Sequence, residues 1–211
     1  MSHSPANVTP INDHVFDKTS LRREMRARRR RLTAREQNLA AEQLARKLAT
    51  LPAFIRSQHI ALYWPNDGEI DPRPLAARAW RCGKECYLPV LHPFQGRLLW
   101  FVRWRPDTPL HFNRFGIPEP NYQDQPKLSA PNLNLVLLPL VAFDRAGGRL
   151  GMGGGFYDRT FAFKQEAKQH GRQVGPALVG LAHACQEATQ VMREPWDIPL
   201  DAVVTDRGVV R

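Results

Sequence analysis

The residues from Phe143 to Arg159 carry the strongest chemical signal in the chain, with six glycines among the nine positions from Gly147 to Gly155. Glycines between a strand and a helix let backbone N–H groups approach an anion with no side chain in the way. The pattern suits a phosphate cradle, and it equally suits a flexible strand-to-helix turn. It is not a Walker loop, because no Gly-Lys-Ser/Thr follows. Nor is it the dinucleotide fingerprint, because Phe156 stands where the third glycine after Gly151 and Gly153 would fall. Arg149 could neutralise phosphate charge. Asp158 offers the hard oxygen that Mg²⁺ prefers beside nucleotide phosphates, or it serves the dipole of the following helix.

A second constellation runs from Tyr63 to Asp71 and contains Trp64 and Glu69. An aromatic ring followed five residues later by a carboxylate could stack on a flat heterocycle and accept hydrogen bonds from its ring N–H and amino groups. A core Trp with acids at a helix start is the alternative. A third, Pro195 to Asp201, holds Asp197, which could join Asp158 at a metal or cap a turn. His183 at a strand end reads as a structural polar residue, and Cys185 has no adjacent base to make it a nucleophile.

Alternating strands and helices position these segments. The basic stretch from Lys18 reads as a helix with Leu21, Met25, Leu32 and Leu39 on an apolar stripe, and the arginines Arg28 to Arg31 as a solvated face. Thr33 and Glu36 fit a capping box, so a second helix is expected to run to about Leu51 and stop at Pro52. A strand at His59–Trp64, a helix at Pro72–Cys82 and strands at Cys86–Leu91 and Arg97–Trp104 follow. Pro106–Asn134 reads as mostly loop, with Phe115–Pro120 too turn-prone for regular structure. Leu135–Phe143 reads as one central buried strand, residues 156–169 as one helix, and Ala177–Ala182 and Ala202–Thr205 as two more strands. The expectation is a single-domain α/β fold over residues 17–211, with a mostly parallel central sheet, helices on both faces and basic N-terminal helices. Residues 1–16 read as a loose tail. Ligands in such sheets sit at the carboxyl ends of the strands, where the first two constellations fall, while the third precedes the last strand.

Of 211 residues, 43% are hydrophobic and 24% charged, an ordinary globular balance that excludes disorder as the main theme. No apolar run approaches the roughly 20 residues of a membrane-spanning helix, so no membrane partner is expected. Three cysteines cannot form a complete disulfide set, and the polar start lacks a secretion signal, so the expected compartment is the cytoplasm. The net charge is +10, and nine cations lie between Lys18 and Arg35 against Glu24 alone. Such a helix could bind RNA or DNA phosphates, but it lacks interleaved aromatics and a recognition module. A sugar-phosphate or CoA-transfer enzyme of similar topology is a third reading, since fold alone does not fix function.

Taken together, Lys18-Thr19-Ser20-Leu21-Arg22, Trp64 to Asp71, Phe115 to Pro120, Phe143 to Arg159 and Trp196 to Asp201 resemble the 5-formyltetrahydrofolate cyclo-ligase family, also called 5,10-methenyltetrahydrofolate synthetase. The block from Arg149 to Asp158 is its most specific part. The resemblance implies ATP- and Mg²⁺-dependent closure of 5-formyltetrahydrofolate, which can carry a polyglutamate tail, to 5,10-methenyltetrahydrofolate, with release of ADP and phosphate. It implies that Lys18, Thr19, Ser20, Leu21 and Arg22 bind ATP together with Arg149, Leu150, Gly151, Met152, Gly153, Gly154, Gly155, Phe156 and Tyr157. Lys18 and Arg149 would be catalytic. Trp64 and Glu69 would hold the pterin, with Met152 to Phe156 between the two substrates, and Asp158 and Asp197 would hold magnesium. A monomer with no nucleic-acid partner is the expectation.

Overall fold

A computed structural model describes residues 17–210, so the expected N-terminal tail lies outside the described residues. The chain order is α1 (Lys18–Arg30), α2 (Ala34–Ala49), α3 (Pro52–Ile55), β1 (His59–Ala61), α4 (Arg73–Arg81), β2 (Glu85–Leu91), β3 (Leu99–Trp104), β4 (Leu110–Phe112), β5 (Pro118–Pro120) and β6 (Lys127–Leu128). It continues with β7 (Leu135–Pro139), β8 (Ala142–Phe143), β9 (Arg149–Leu150), α5 (Phe156–Thr160), α6 (Ala162–Gln169), β10 (Ala177–Ala182), β11 (Ala202–Thr205) and β12 (Val209–Val210). The main sheet has the order β12-β11-β10-β7-β1-β2-β3-β6. Its five central strands are parallel, and antiparallel strands close both edges.

The sheet is buried on both faces because its central strands alternate between two cores. Leu135 and Leu137 of β7 pack with Leu44 and Leu48 of α2 and Leu75 and Ala79 of α4. Val136 and Leu138 point the other way, toward Phe161, which joins α5 to α6. Helices therefore cover both faces, as expected. Among the described residues no helix is long and apolar enough to cross a membrane.

The capping box forms as expected: Thr33 N–H donates to Glu36 Oε2 (2.8 Å) and Glu36 N–H to Thr33 Oγ1 (3.3 Å). The break it marks changes the helical phase. Leu39 is consequently exposed, off the apolar stripe, while α2 buries Ala40, Ala41, Leu44, Ala45 and Leu48. Pro52 does not merely stop that helix; it opens the one-turn α3, where a missing N–H costs nothing.

Three other expectations are corrected. Pro118–Pro120 is a strand, paired with Leu110–Phe112, because an isolated two-stranded ribbon leaves the proline nitrogens free of any ladder duty. The apolar run Leu135–Phe143 is not one strand: β7 ends at Pro139, and β8 turns away to pair with β9. The helix expected over residues 156–169 breaks at Phe161, whose ring is fully buried between the two pieces.

Candidate functional site

From β1 the chain passes to β2 on one side, whereas β7 lies parallel to β1 on the other, so the strand order reverses between β1 and β7. Crevices of this kind, at the carboxyl ends of strands, are where α/β sheets bind ligands. A cavity of about 1010 Å³ opens there, lined by the loop after β1 on one side and the glycine-rich loop on the other. That volume lies at the top of the usual range for a single small ligand, roughly 300–1,000 Å³.

The glycine-rich wall follows β9. Gly153 has φ +90°, a conformation that a side chain disfavours, and a Cβ there would lie 3.4 Å from the Arg22 guanidinium. Among the described residues, no backbone N–H from Gly151 to Gly155 donates to a protein acceptor. The loop is held through its carbonyls instead: Arg22 Nε donates to Gly151 O (2.9 Å), and Arg159 Nη1 to Gly154 O (3.1 Å). Backbone donors exposed in this way suit an anion better than an apolar ligand.

Lys18, Arg22 and Arg149 line the same wall, and each has a partner. Lys18 Nζ pairs with Glu194 (2.8 Å) and Arg149 with Asp158. Asp158 Oδ1 also accepts from Ile198 N–H (3.2 Å), which ties the loop carrying Asp197 to the start of α5. Asp197 lines the cavity too, and its Oδ2 accepts from Glu194 N–H (2.8 Å), so it caps its own turn. Among the described residues no group of three or more His, Cys, Asp or Glu side chains could hold a metal on its own. Leu21 points elsewhere: it is buried with Met25, Val141, Ala142 and Leu150, while Thr19 and Ser20 lie on α1 outside the cavity wall.

The opposite wall is built from Trp64 and Glu69. Trp64 packs edge-on against Trp104 (5.9 Å between centroids), and the Arg73 guanidinium covers one ring face at 4.8 Å. Glu69 Oε2 accepts from Asn66 N–H (3.1 Å). Burial pushes its carboxyl up to about 7, against the lowering pull of Arg29 and of that hydrogen bond. Tyr157, across the cavity, is pushed well above its ordinary value by burial and by the Glu69 charge. The Tyr63 hydroxyl donates to Ile70 O (2.7 Å) and fixes the end of the loop. His183 is buried, and burial lowers its pKa.

Sequence reasoning missed the anchor of this wall. Arg28 to Arg31 are not uniformly a solvated face: the Arg29 side chain is 0% exposed, and with Arg26 and Arg30 it converges on Asp67. A visible signal was present, since Arg29 occupies the step between Met25 and Leu32 on the apolar stripe of α1. Asp67 and Gly68 adopt left-handed backbone (φ +51° and +74°), a turn that Asp-Gly favours. Glu194, the partner of Lys18, had no local signature, because it lies 176 positions away. Pairing also weakens the nucleic-acid reading, since Arg29 is buried and Arg26, Arg28 and Arg30 are each engaged by an acid.

Comparison with known proteins agrees with this architecture. Residues 15–206 match the model of the 5-formyltetrahydrofolate cyclo-ligase family. The chain is 43% identical over 185 residues to 5-formyltetrahydrofolate cyclo-ligase of Escherichia coli, covering 88% of this chain and 98% of that protein. It is 42% identical over 180 residues to the Haemophilus influenzae protein of the same name, covering 85% and 92%. The solved structure of Aquifex aeolicus 5,10-methenyltetrahydrofolate synthetase superposes with a TM-score of 0.76 at 32% identity, covering 92% of each chain. The glycine-rich wall, the Trp64–Glu69 wall and the sheet that opposes them are thus those of a chain that belongs to the 5-formyltetrahydrofolate cyclo-ligase family of enzymes.

Proposed function

We propose that this protein converts 5-formyltetrahydrofolate to 5,10-methenyltetrahydrofolate at the expense of ATP, with both substrates in the one cavity between β1 and β7. The observation that carries the reading is that this single cavity has an anion-seeking wall of free N–H groups and cations facing a wall with an aromatic ring and a buried carboxylate. The first suits the triphosphate and the second a pterin, whose ring N–H and amino groups are donors for Glu69.

Lys18, Arg22 and Arg149 exchange their present acceptors for phosphate oxygens, while Gly151 to Gly155 supply N–H groups. Leu150, Met152, Phe156 and Tyr157 shape the same pocket. Thr19, Ser20 and Leu21 contribute by forming the turn of α1 that presents Lys18 and Arg22. The N-formyl group is an unreactive amide whose oxygen is a poor leaving group. Its oxygen attacks the γ-phosphorus and ADP departs; N10 then attacks the formyl carbon, loses its proton to solvent, and phosphate leaves with the former formyl oxygen. No covalent enzyme intermediate is required. Positioning the two reactants and balancing the charge on the transferred group account for the catalysis. Lys18 and Arg149 are the cations assigned to that charge.

The donor set fits magnesium of the kind carried in by phosphates. Mg²⁺ commonly takes one or two protein carboxylates and completes its shell with phosphate and water, and Asp158 and Asp197 supply that number. When bound it would neutralise phosphate charge. We further read the protein as a cytoplasmic monomer that accepts polyglutamylated folate.

The test is an absorbance assay for the methenyl product with folded protein, ATP, Mg²⁺ and 5-formyltetrahydrofolate. Product should form only when ATP and the folate are both present; folded protein that forms none, or forms it without ATP, overturns the reading. A salt-dependent RNA shift at physiological ionic strength would favour the nucleic-acid alternative instead.

A further inference from the structure

Arg29 joins the two halves of the crevice from the buried side of α1. Its Nε donates to Asp67 O (2.8 Å) and its Nη2 to Asp67 Oδ2 (2.9 Å), both in the loop after β1. Its Nη1 donates to Leu140 O (3.3 Å), immediately after β7. Nη2 also lies 3.9 Å from Glu69 Oε1. Asp67 is shared: Arg26 Nε donates to it at 2.6 Å and Arg30 also pairs with it. Burial pushes its carboxyl up, but the three guanidiniums outweigh that and hold it below its usual range. A fully buried cation is expensive unless paired, so five donors on a rigid fork placed here fix the loop strongly.

We propose that Arg29 is a positioning residue for the folate half of the reaction: through Asp67 it sets the shape of the loop after β1, and by its charge it favours the anionic form of the Glu69 carboxylate that receives the pterin. The inference rests on the folate-binding role of Glu69 given above. Glu69 is faced by Arg26 and Arg29 from α1, Tyr157 from α5, Tyr63 just after β1, and Asp67 on its own loop. Of these, only the two arginines favour its charged form. Arg29 is the nearer one with no exposure to water.

The experiment compares wild type, Arg29→Met and Arg29→Lys as full chains, measuring kcat and both KM values between about pH 6 and 9. Arg29→Met should raise KM for 5-formyltetrahydrofolate about tenfold or more near neutral pH, the loss of a charged hydrogen-bond partner. It should leave KM for ATP unchanged and move the acid limb of kcat/KM for the folate to higher pH. Arg29→Lys keeps the charge but not the fork, so it should raise the folate KM by a smaller factor with the limb near its wild-type position. An unshifted limb in Arg29→Met, or a parallel rise in both KM values, overturns the inference. If Arg29→Met does not fold, Arg29→Lys decides alone, since a folate KM equal to wild type or a matching rise for ATP contradicts the proposal. Wild type without ATP-dependent turnover would instead sink the proposed function, which keeps the two failures apart.

Discussion

The two loops that face each other across the crevice are built in opposite ways. The loop after β1 is locked before any ligand is considered: three arginines converge on Asp67, Gln37 Nε2 donates to Gly68 O (3.4 Å), and Tyr63 anchors Ile70. The loop from Gly151 to Gly155 has no such lattice among the described residues; its N–H groups have no protein acceptor, and arginines hold only its carbonyls. The difference fits the ligand proposed for each wall. A buried carboxylate is costly and must be held in place by its surroundings, whereas a phosphate brings its own acceptors to a row of free donors. Segments with few protein hydrogen bonds belong to the low-stability end of a fold. The wall after β1 is preorganised, and under the proposed function the glycine-rich wall is ordered by its ligand.

Single substitutions should therefore separate the two walls. Lys18→Ala removes a cation assigned to the transferred phosphoryl group and should lower kcat by about 100-fold or more, in the range seen when one transition-state donor is lost. Its folate KM should stay close to wild type in steady-state kinetics, and a loss confined to the folate KM would break the division. Glu69→Gln keeps the shape but removes the acceptor charge, and should raise the folate KM by about 10- to 100-fold with little change for ATP, as separate titrations of each substrate would report.

A smaller effect comes from pH. Burial holds Glu69 at about 7, so kcat/KM for the folate should fall with an acid limb near that pH as the carboxylate takes up a proton. Stability should respond in the opposite sense. Between the ordinary carboxylate range and about 7 the native state binds more protons at Glu69 than the unfolded chain, so its contribution to stability declines as pH rises through that window. Chemical denaturation across the window, comparing wild type with Glu69→Gln, would isolate that contribution; a stability difference independent of pH would contradict it.

Much of the fold was legible because local and tertiary signals agreed. The capping box at Thr33, the strand Ala177–Ala182 and the α4 segment follow from caps, periodicity and turn residues. The apolar run Leu135–Phe143 misled because continuous hydrophobicity reports burial and not strand direction, so the turn-away after Pro139 was invisible. At the site, the glycines marked a loop whose N–H groups have no protein acceptor among the described residues, and Trp64 and Glu69 line the wall that faces it. The anchor left only a partial signal: an arginine on an apolar stripe becomes meaningful only when Asp67, 38 positions later, is brought over it. Lys18 with Glu194 and Arg149 with Asp158 are similarly products of folding, since no local rule pairs residues across different elements.

The central claim is that ATP converts the formyl oxygen into a leaving group within this cavity. The most direct measurement uses 5-formyltetrahydrofolate labelled with ¹⁸O in the formyl group, with ATP, Mg²⁺ and wild-type protein, followed by mass analysis of the released phosphate. The label should appear in inorganic phosphate, one atom for each methenyl product formed. Label released to water, with unlabelled phosphate, would contradict the account.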